Sequence, residues 1–335
     1  MRVLVTGGAG YIGSHTCKAL ALAGHEPIVF DNLIHGHRWA VRWGPLVVGD
    51  ILDRAAIDAA ITQYRPEAVI HFAAFAYVGE SVSDPAKYYR NNVSGTLTLL
   101  EAMRARRLSR IVFSSSCATY GVPPPGPITE ATVQKPINPY GMSKLMVEHM
   151  LVDFGSAYDL KWIALRYFNA AGADPSGEIG EAHSPETHIV PLVLAAAADP
   201  AKPFTIFGTD YDTPDGSCIR DYIHVSDLAD AHVRALERLA DGLESAAINL
   251  GTGRGASILE VLETAGRVTG RPIPVVHGKR RAGDPAILVS DAGLARERLG
   301  WRAKIPALGD ILETAWSWHR RNQHPPSSDE TPEVV

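Results

Sequence analysis

Three cysteines in 335 residues, Cys17, Cys117 and Cys218, are too few and too widely spaced for a disulfide framework, and no Cys-x-x-Cys is present to hold zinc. No apolar run approaches the length of a membrane span. The basic and apolar regions and small-residue cleavage site of a secretory signal are missing too, because Met1 leads straight into an apolar strand pattern. The formal charge of −5 is mild, and the basic runs Arg104–Arg107 and Lys279–Arg281 are too short to track a nucleic-acid backbone. The 13 histidines contain no His-x-x-x-His on a helical stretch; His183 and His188 come nearest, and no metal site is expected. These absences leave a protein with no nucleic-acid or membrane partner, expected in a reducing cytoplasm.

What is present is a 46% apolar chain long enough for one large or two modest domains. Apolar strand patterns at Arg2–Thr6, Glu26–Phe30, Leu46–Val48, Ala68–Phe72, Arg110–Ser114 and Trp162–Arg166 alternate with helical patterns at Ile12–Ala23, Arg54–Tyr64, Ala86–Arg106 and Tyr140–Tyr158. That alternation predicts an α/β fold with a doubly wound parallel sheet, helices on both faces and a ligand crevice at the carboxyl ends of the strands. From Gly172 the rhythm breaks into glycine- and proline-rich loops, as in a smaller, less regular α/β domain. A helix at Val225–Leu239 and a strand at Ala246–Leu250 are regular enough to rejoin the sheet. The expected division is therefore 1–171, with 222–252 returning to it, then an interleaved 172–321, and a polar, proline-broken tail at 322–335 with too little apolar content to fold.

The first strand runs into Gly7-Gly8-Ala9-Gly10-Tyr11-Ile12-Gly13, a Gly-x-x-Gly-x-x-Gly turn that opens a helix. Such a turn seats a pyrophosphate: Gly7 makes the bend, Gly10 lets the phosphates approach, Gly13 lets helix and strand pack, and the helix end supplies free N–H groups. The second strand ends at Asp31, where a carboxylate accepts hydrogen bonds from both adenosine ribose hydroxyls and repels a 2′-phosphate. NAD is thereby favoured over NADP, and the fold becomes a Rossmann domain. Asn32 follows Asp31 in the chain. Asp50-Ile51 and Phe72-Ala73-Ala74 follow the third and fourth strands, so they reach the same edge and can line the dinucleotide; Asp50 reads equally well as an acid capping the next helix.

After the fifth strand come Ser114-Ser115-Ser116, and later Pro139-Tyr140-Gly141-Met142-Ser143-Lys144. Tyr140 and Lys144 are one turn apart, so the ammonium lies near the phenol and favours its ionised form. Pro139 makes Tyr140 a first-turn residue at the ligand edge of the sheet. Ser116 can hydrogen-bond at the same place. Bringing a tyrosine from its usual value of about 10 to near neutrality takes roughly 4 kcal/mol of preferential stabilisation of the phenolate. One lysine falls short of that, and a positively charged nicotinamide ring supplies a further cation.

Together the glycine turn, the serine run, Pro-Tyr-Gly-x-Ser-Lys and Arg166-Tyr167-Phe168-Asn169-Ala170-Ala171-Gly172 resemble the extended short-chain dehydrogenase/reductase family. A narrower likeness, to the branch that inverts the C4 hydroxyl of a UDP-hexose, rests on Asp31-Asn32-Leu33, Val78-Gly79-Glu80-Ser81, Tyr88 to Thr96, Ile206 to Gly216, Arg220-Asp221-Tyr222-Ile223-His224-Val225 and Arg281-Ala282-Gly283-Asp284. The resemblance implies interconversion of UDP-glucose and UDP-galactose through a transient 4-keto sugar. Tyr140 would take the C4 hydroxyl proton, Ser116 would hold that oxygen, Lys144 would hold the nicotinamide ribose, and a hydride would pass to NAD and back. It also places Asn92 and Phe168 near NAD, Asn169, Arg220 and Arg281 on the diphosphate, Thr205 to Phe207 at the uracil, and Asp284 on a ribose hydroxyl. His188 falls at a sugar or phosphate contact and Leu288 at a gate that disfavours an N-acetylated sugar. A homodimer is expected on the resemblance alone.

Two departures stand out. Ala76 occupies a position where many members carry lysine, with Tyr77 after it, and His188 replaces an asparagine. Epimerases of UDP-xylose and UDP-arabinose or of UDP-glucuronate share the same Ser, Tyr and Lys and stay open as alternatives, as does a non-catalytic NAD sensor. A 4,6-dehydratase needs an acidic pair where this chain has Cys117-Ala118-Thr119-Tyr120.

Overall fold

The computed structural model describes residues 1–281 and 284–321, so the expected tail at 322–335 lies outside the described residues. In chain order the strands are β1 (Arg2–Thr6), β2 (Glu26–Asp31), β3 (Leu46–Val48), β4 (Ala68–His71), β5 (Arg110–Ser114), β6 (Lys161–Tyr167), β7 (Asn169–Ala171), β8 (Phe204–Phe207), β9 (Ile219–His224), β10 (Ala246–Leu250), β11 (Gly255–Ser257), β12 (Val275–Gly278) and β13 (Ile287–Leu288). Seven of them form one sheet in the order β10-β6-β5-β4-β1-β2-β3, with every neighbouring pair parallel. This is the doubly wound α/β sheet that the alternating pattern predicts.

Parallel strands covered on both faces need apolar side chains on both. In β1, Val3 and Val5 join Leu20, Val29, Ile70, Leu228 and Leu236 in one layer, whereas Leu4 joins Ile28, Phe30, Val69, Ile111 and Phe113 in the other. The first layer is closed by helices Tyr11–Leu22 and Val225–Ala240. The second is closed by helices Arg54–Tyr64, Thr96–Ala105 and Pro139–Tyr158. Asp53 starts the first of these three by accepting from the amides of Ala55 (2.9 Å) and Ala56 (3.1 Å).

One expected helix is not continuous. The stretch predicted as Ala86–Arg106 is a short helix at Pro85–Tyr88, a π-helical segment at Tyr89–Gly95 and an α-helix at Thr96–Ala105. A Cβ on Gly95 would sit 2.7 Å from Ile51, so the widened turn lies against the loop after β3. π segments of this kind cluster at functional sites.

The other lobe is built on β9, which pairs with β7, β11 and β13, and on the two-stranded β8–β12 ribbon. Its core gathers Val190, Leu194, Ile206, Tyr222, Leu312 and Trp316. A single carboxylate ties this lobe together. Asp221, wholly buried in β9, accepts from the Thr252 amide (2.9 Å) and hydroxyl (2.6 Å), the Gly253 amide (3.0 Å), and the Ser290 amide (3.1 Å) and hydroxyl (2.7 Å). Among the described residues no helix is long and apolar enough to cross a membrane.

Replacing Asp221 by alanine strands the Thr252, Gly253 and Ser290 donors in a dry interior. Urea denaturation should show a loss of roughly 2–5 kcal/mol, and a loss below about 1 kcal/mol would contradict the role given to this residue.

Candidate active site

The glycine turn is built by close approach. Gly7 takes φ +72°, and a Cβ there would lie 2.6 Å from the Ala73 amide nitrogen; a Cβ on Gly13 would collide with the Gly7 carbonyl. Both positions therefore require glycine. Gly10 caps helix Tyr11–Leu22 with no side-chain hydrogen bond, so the first-turn amides face the strand edge without a competing side-chain acceptor at the cap. Ile12 packs against the sheet, while the Tyr11 hydroxyl donates to the Gly172 carbonyl at 2.6 Å and bridges to the other lobe.

Asp31 is buried at the end of β2. Its Oδ2 accepts from the Ala9 amide (3.0 Å) and its Oδ1 from the Leu33 amide (2.8 Å). Burial raises its pKa, and these two N–H groups pull it back toward the ionised form. The Asn32 amide donates to Asp50 Oδ2 (2.9 Å), and Asp50 Oδ1 accepts from Leu52 (2.8 Å). The helix cap is Asp53, so Asp50 braces the loop beside Asn32 instead of starting the helix. Ile51 is buried next to Gly95. The amides of Phe72 and Ala73 both donate to the Thr6 carbonyl, which leads the chain and Ala74 along the glycine turn, while the Phe72 ring turns away onto His232, 4.7 Å between centroids.

Ser116, Tyr140 and Lys144 come together as their spacing predicts. Asn138 accepts from the Gly141 amide at 2.8 Å and starts the helix, placing Tyr140 in its first turn beneath the end of β5. Ser116 accepts from the Ala118 amide at 3.1 Å, and its hydroxyl acts on the Tyr140 phenol in the direction that favours the ionised form. The Lys144 ammonium lies 5.8 Å from the centre of the Tyr140 ring and donates to the Ser114 carbonyl at 2.8 Å. The Ser114 hydroxyl donates to Tyr167 (2.9 Å). Burial dominates the electrostatics: it pushes the Tyr140 phenol far above its ordinary value against the pull of Ser116, and brings Lys144 down to about 7 despite Glu148.

Sequence reasoning missed the scaffold beneath these groups. Glu148, one turn beyond Lys144, takes a bidentate grip on Arg166 of β6 (2.6 Å to Nη2, 3.0 and 3.1 Å to Nε) and accepts from Ser115 (2.5 Å). Only the position of Glu148 four residues after Lys144 could have signalled it. Asn92 is also a bracket: its side chain exchanges hydrogen bonds with both backbone groups of Phe75 (2.9 and 3.0 Å) and donates to Ser143 (3.1 Å). It thus pins the loop after β4 to helix Pro139–Tyr158.

In the other lobe, Asn169 opens β7 opposite Tyr222, and Thr205 and Phe207 lie on β8. Arg281 stacks over the Phe207 ring, 4.1 Å from its centre. Arg220 is paired with Asp284 at 2.5 Å, the ion-pair arrangement. Phe168 and Leu288 share a small apolar cluster with Tyr120, Ile128 and Cys117. His188 precedes helix Ile189–Ala198, and its Nδ1 meets Glu181 (2.9 Å) and Glu186 (2.8 Å). Although burial alone would lower it, these carboxylates raise His188 to about 10, and they raise its neighbour His183 to about 9.

Removing one partner of the buried Arg166–Glu148 pair leaves an uncompensated charge. Glu148→Leu should cost about 3–5 kcal/mol by chemical denaturation, and adding Arg166→Met should recover most of it. Equal losses in the single and double variants would refute the pairing as the source.

Residues 3–251 match the NAD dependent epimerase/dehydratase family. A UDP-glucose 4-epimerase of Rhizobium leguminosarum bv. trifolii is 53% identical over 323 residues, covering 96% of this chain and 98% of the relative. Among solved structures, the UDP-glucose 4-epimerase of Brucella ovis in complex with NAD superposes with a TM-score of 0.92 at 57% identity, covering 94% of this chain and 97% of that one. The Bifidobacterium longum UDP-glucose 4-epimerase in complex with NAD+ and UDP gives 0.90 at 38% identity, covering 96% and 99%. With a glycine turn and a Ser-Tyr-Lys group at one edge of its parallel sheet and likeness along nearly its whole length, the chain belongs to the NAD dependent epimerase/dehydratase family.

Proposed function

We infer that this protein carries out the NAD-dependent inversion of the C4 hydroxyl of a UDP-hexose, interconverting UDP-glucose and UDP-galactose. The observation that carries the reading is the convergence of Ser116, Tyr140 and Lys144 at the end of β5, on the same edge of the parallel sheet as the glycine cradle. The cradle fits a dinucleotide: Gly7 and Gly13 admit no Cβ, and His35 presents a buried Nε2 with no partner near that turn. Gly7, Gly10, Tyr11, Ile12 and Gly13 would hold the pyrophosphate, and Asp31 the adenosine ribose. Bound there, NAD supplies a hydride acceptor and a positive charge.

Tyr140 does the proton work. Its phenolate removes the C4 hydroxyl proton as the C4 hydrogen leaves with its electron pair, producing a 4-keto sugar; the phenol later returns the proton after the sugar has turned over. Ser116 fixes the C4 oxygen and donates to the ketone. Lys144, anchored on the Ser114 carbonyl, gives its charge to the phenolate and reaches the nicotinamide ribose. Because burial works against the ionised phenol, positive charge beside Tyr140 from Lys144 and the bound nucleotide favours the phenolate.

Turning a keto sugar over requires a firm hold on the nucleotide and a loose one on the hexose. Arg220, Arg281 and Asn169 are assigned to the diphosphate, Thr205 and Phe207 to the uracil, and Asp284 to a ribose hydroxyl. Arg281 already lies flat on Phe207, which supports their working as one surface. Leu288, packed with Phe168, limits space where an N-acetyl group would go. The reading carries a homodimer and a cytoplasmic location with it, and three free thiols accord with the latter.

Tyr140→Phe should retain NAD, measured as nucleotide released on denaturation, yet lose about 10²–10⁴-fold in turnover of UDP-galactose by chromatography. Activity within a few-fold of the parent would overturn the assignment. Asp31→Ala should purify with less NAD, and full retention would remove Asp31 from the cofactor site.

A further inference from the structure

Glu181, His183, Glu186 and His188 lie outside the Ser-Tyr-Lys chemistry, yet one ligand atom from each falls within 4.8 Å of all the others. We propose that these four side chains form a site for a single divalent transition-metal ion of the zinc class, bound by two imidazole nitrogens and two carboxylate oxygens.

The spacing is that of a coordination sphere. Zinc bonds of about 2.0–2.2 Å at tetrahedral angles put neighbouring ligand atoms about 3.3 Å apart. Here His183 Nδ1 stands 3.0 Å from Glu181 and 3.8 Å from Glu186, and His188 Nδ1 stands 2.9 and 2.8 Å from the same two. Both imidazoles turn the same nitrogen inward, with ring centres 4.9 Å apart. Imidazole nitrogen argues against magnesium or calcium, and the absence of thiolate against a soft-metal site.

The ligands are also held from outside. Glu186 Oε1 accepts from the amides of Thr187 and His188, both at 2.7 Å. The carbonyls flanking the first ligand are fixed: Glu181 by the Trp318 indole (2.9 Å) and Ala182 by His37 (2.7 Å). Such outer contacts orient metal ligands.

A second observation comes from Tyr77. It is 9% exposed and its hydroxyl is buried with no hydrogen-bond partner. Its ring centre lies 6.1 Å from that of His183 and 6.3 Å from that of His188. A buried donor without a partner at the rim of four converging ligands is what an oxygen in a metal's outer shell would satisfy. His183 also touches the Tyr11 ring at 6.1 Å, so the ion would fasten the 181–188 segment beside the glycine turn.

The test uses tag-free, NAD-loaded protein dialysed against a chelator. Zn²⁺ is then titrated against a chromophoric chelator, and Co²⁺ is added in parallel to read its visible spectrum. One equivalent of each should bind, with the intense absorption of a four-coordinate Co²⁺ site. His183→Gln and Glu186→Gln should each weaken binding by more than about tenfold, since even outer partners of metal ligands are worth 10–100-fold. Retained NAD and unchanged circular dichroism identify folded variants, and either variant suffices. Zinc binding that is absent from the parent, or equally tight in folded variants, would overturn the site and leave an ion-paired cluster only.

Discussion

Gly7 and Gly13 meet where no side chain fits, and that contact sets the geometry of the whole ligand edge. Because the Gly7 carbonyl lies against Gly13 and the Gly7 bend rests on the Ala73 backbone, the first helix, the first strand and the loop after the fourth strand are locked into one corner. All strands of the sheet run parallel, so the ends of β1, β2, β4 and β5 deliver the glycine turn, Asp31, Phe72 and the serine run to the same side. Helix Pro139–Tyr158 adds Tyr140 from its first turn. A substitution at either glycine would disturb chemistry far from itself by opening this corner.

Dryness does the rest. Desolvation pushes the Tyr140 phenol up and the Lys144 amine down, so burial works against the charged form of each. The buried Arg166–Glu148 pair and the Asn92 bracket hold the helix that carries both groups, one from the strand side and one from the loop side. In the other lobe Arg281 stacks over the Phe207 ring.

Strands with two covered faces, the glycine turn and the Tyr-Lys pair were legible because each rests on local spacing: period, bend or one helical turn. Helix Tyr11–Leu22 and strand β10 fall within a residue of their expected bounds. The π-helical segment at Tyr89–Gly95 was not legible, since its apolar period is close to that of an ordinary helix and the Ile51 contact beside Gly95 is tertiary. Nor could spacing reveal that Asn92 bonds Phe75 and Ser143, or that Arg220 meets Asp284, because partners 17 to 64 residues away leave no periodic trace. His183 and His188 stood out in the sequence, but their convergence with Glu181 and Glu186 was not legible for the opposite reason: it is local, yet its loop follows no helical repeat.

The order in which the chain visits its sheets bears on biosynthesis. β10, the last strand of the main sheet, is made some eighty residues after β6, its sole neighbour, and the intervening chain builds much of the other lobe. On the ribosome β6 therefore waits as a bare edge, its amides and carbonyls open to any passing strand, until residue 250 has emerged from the exit tunnel.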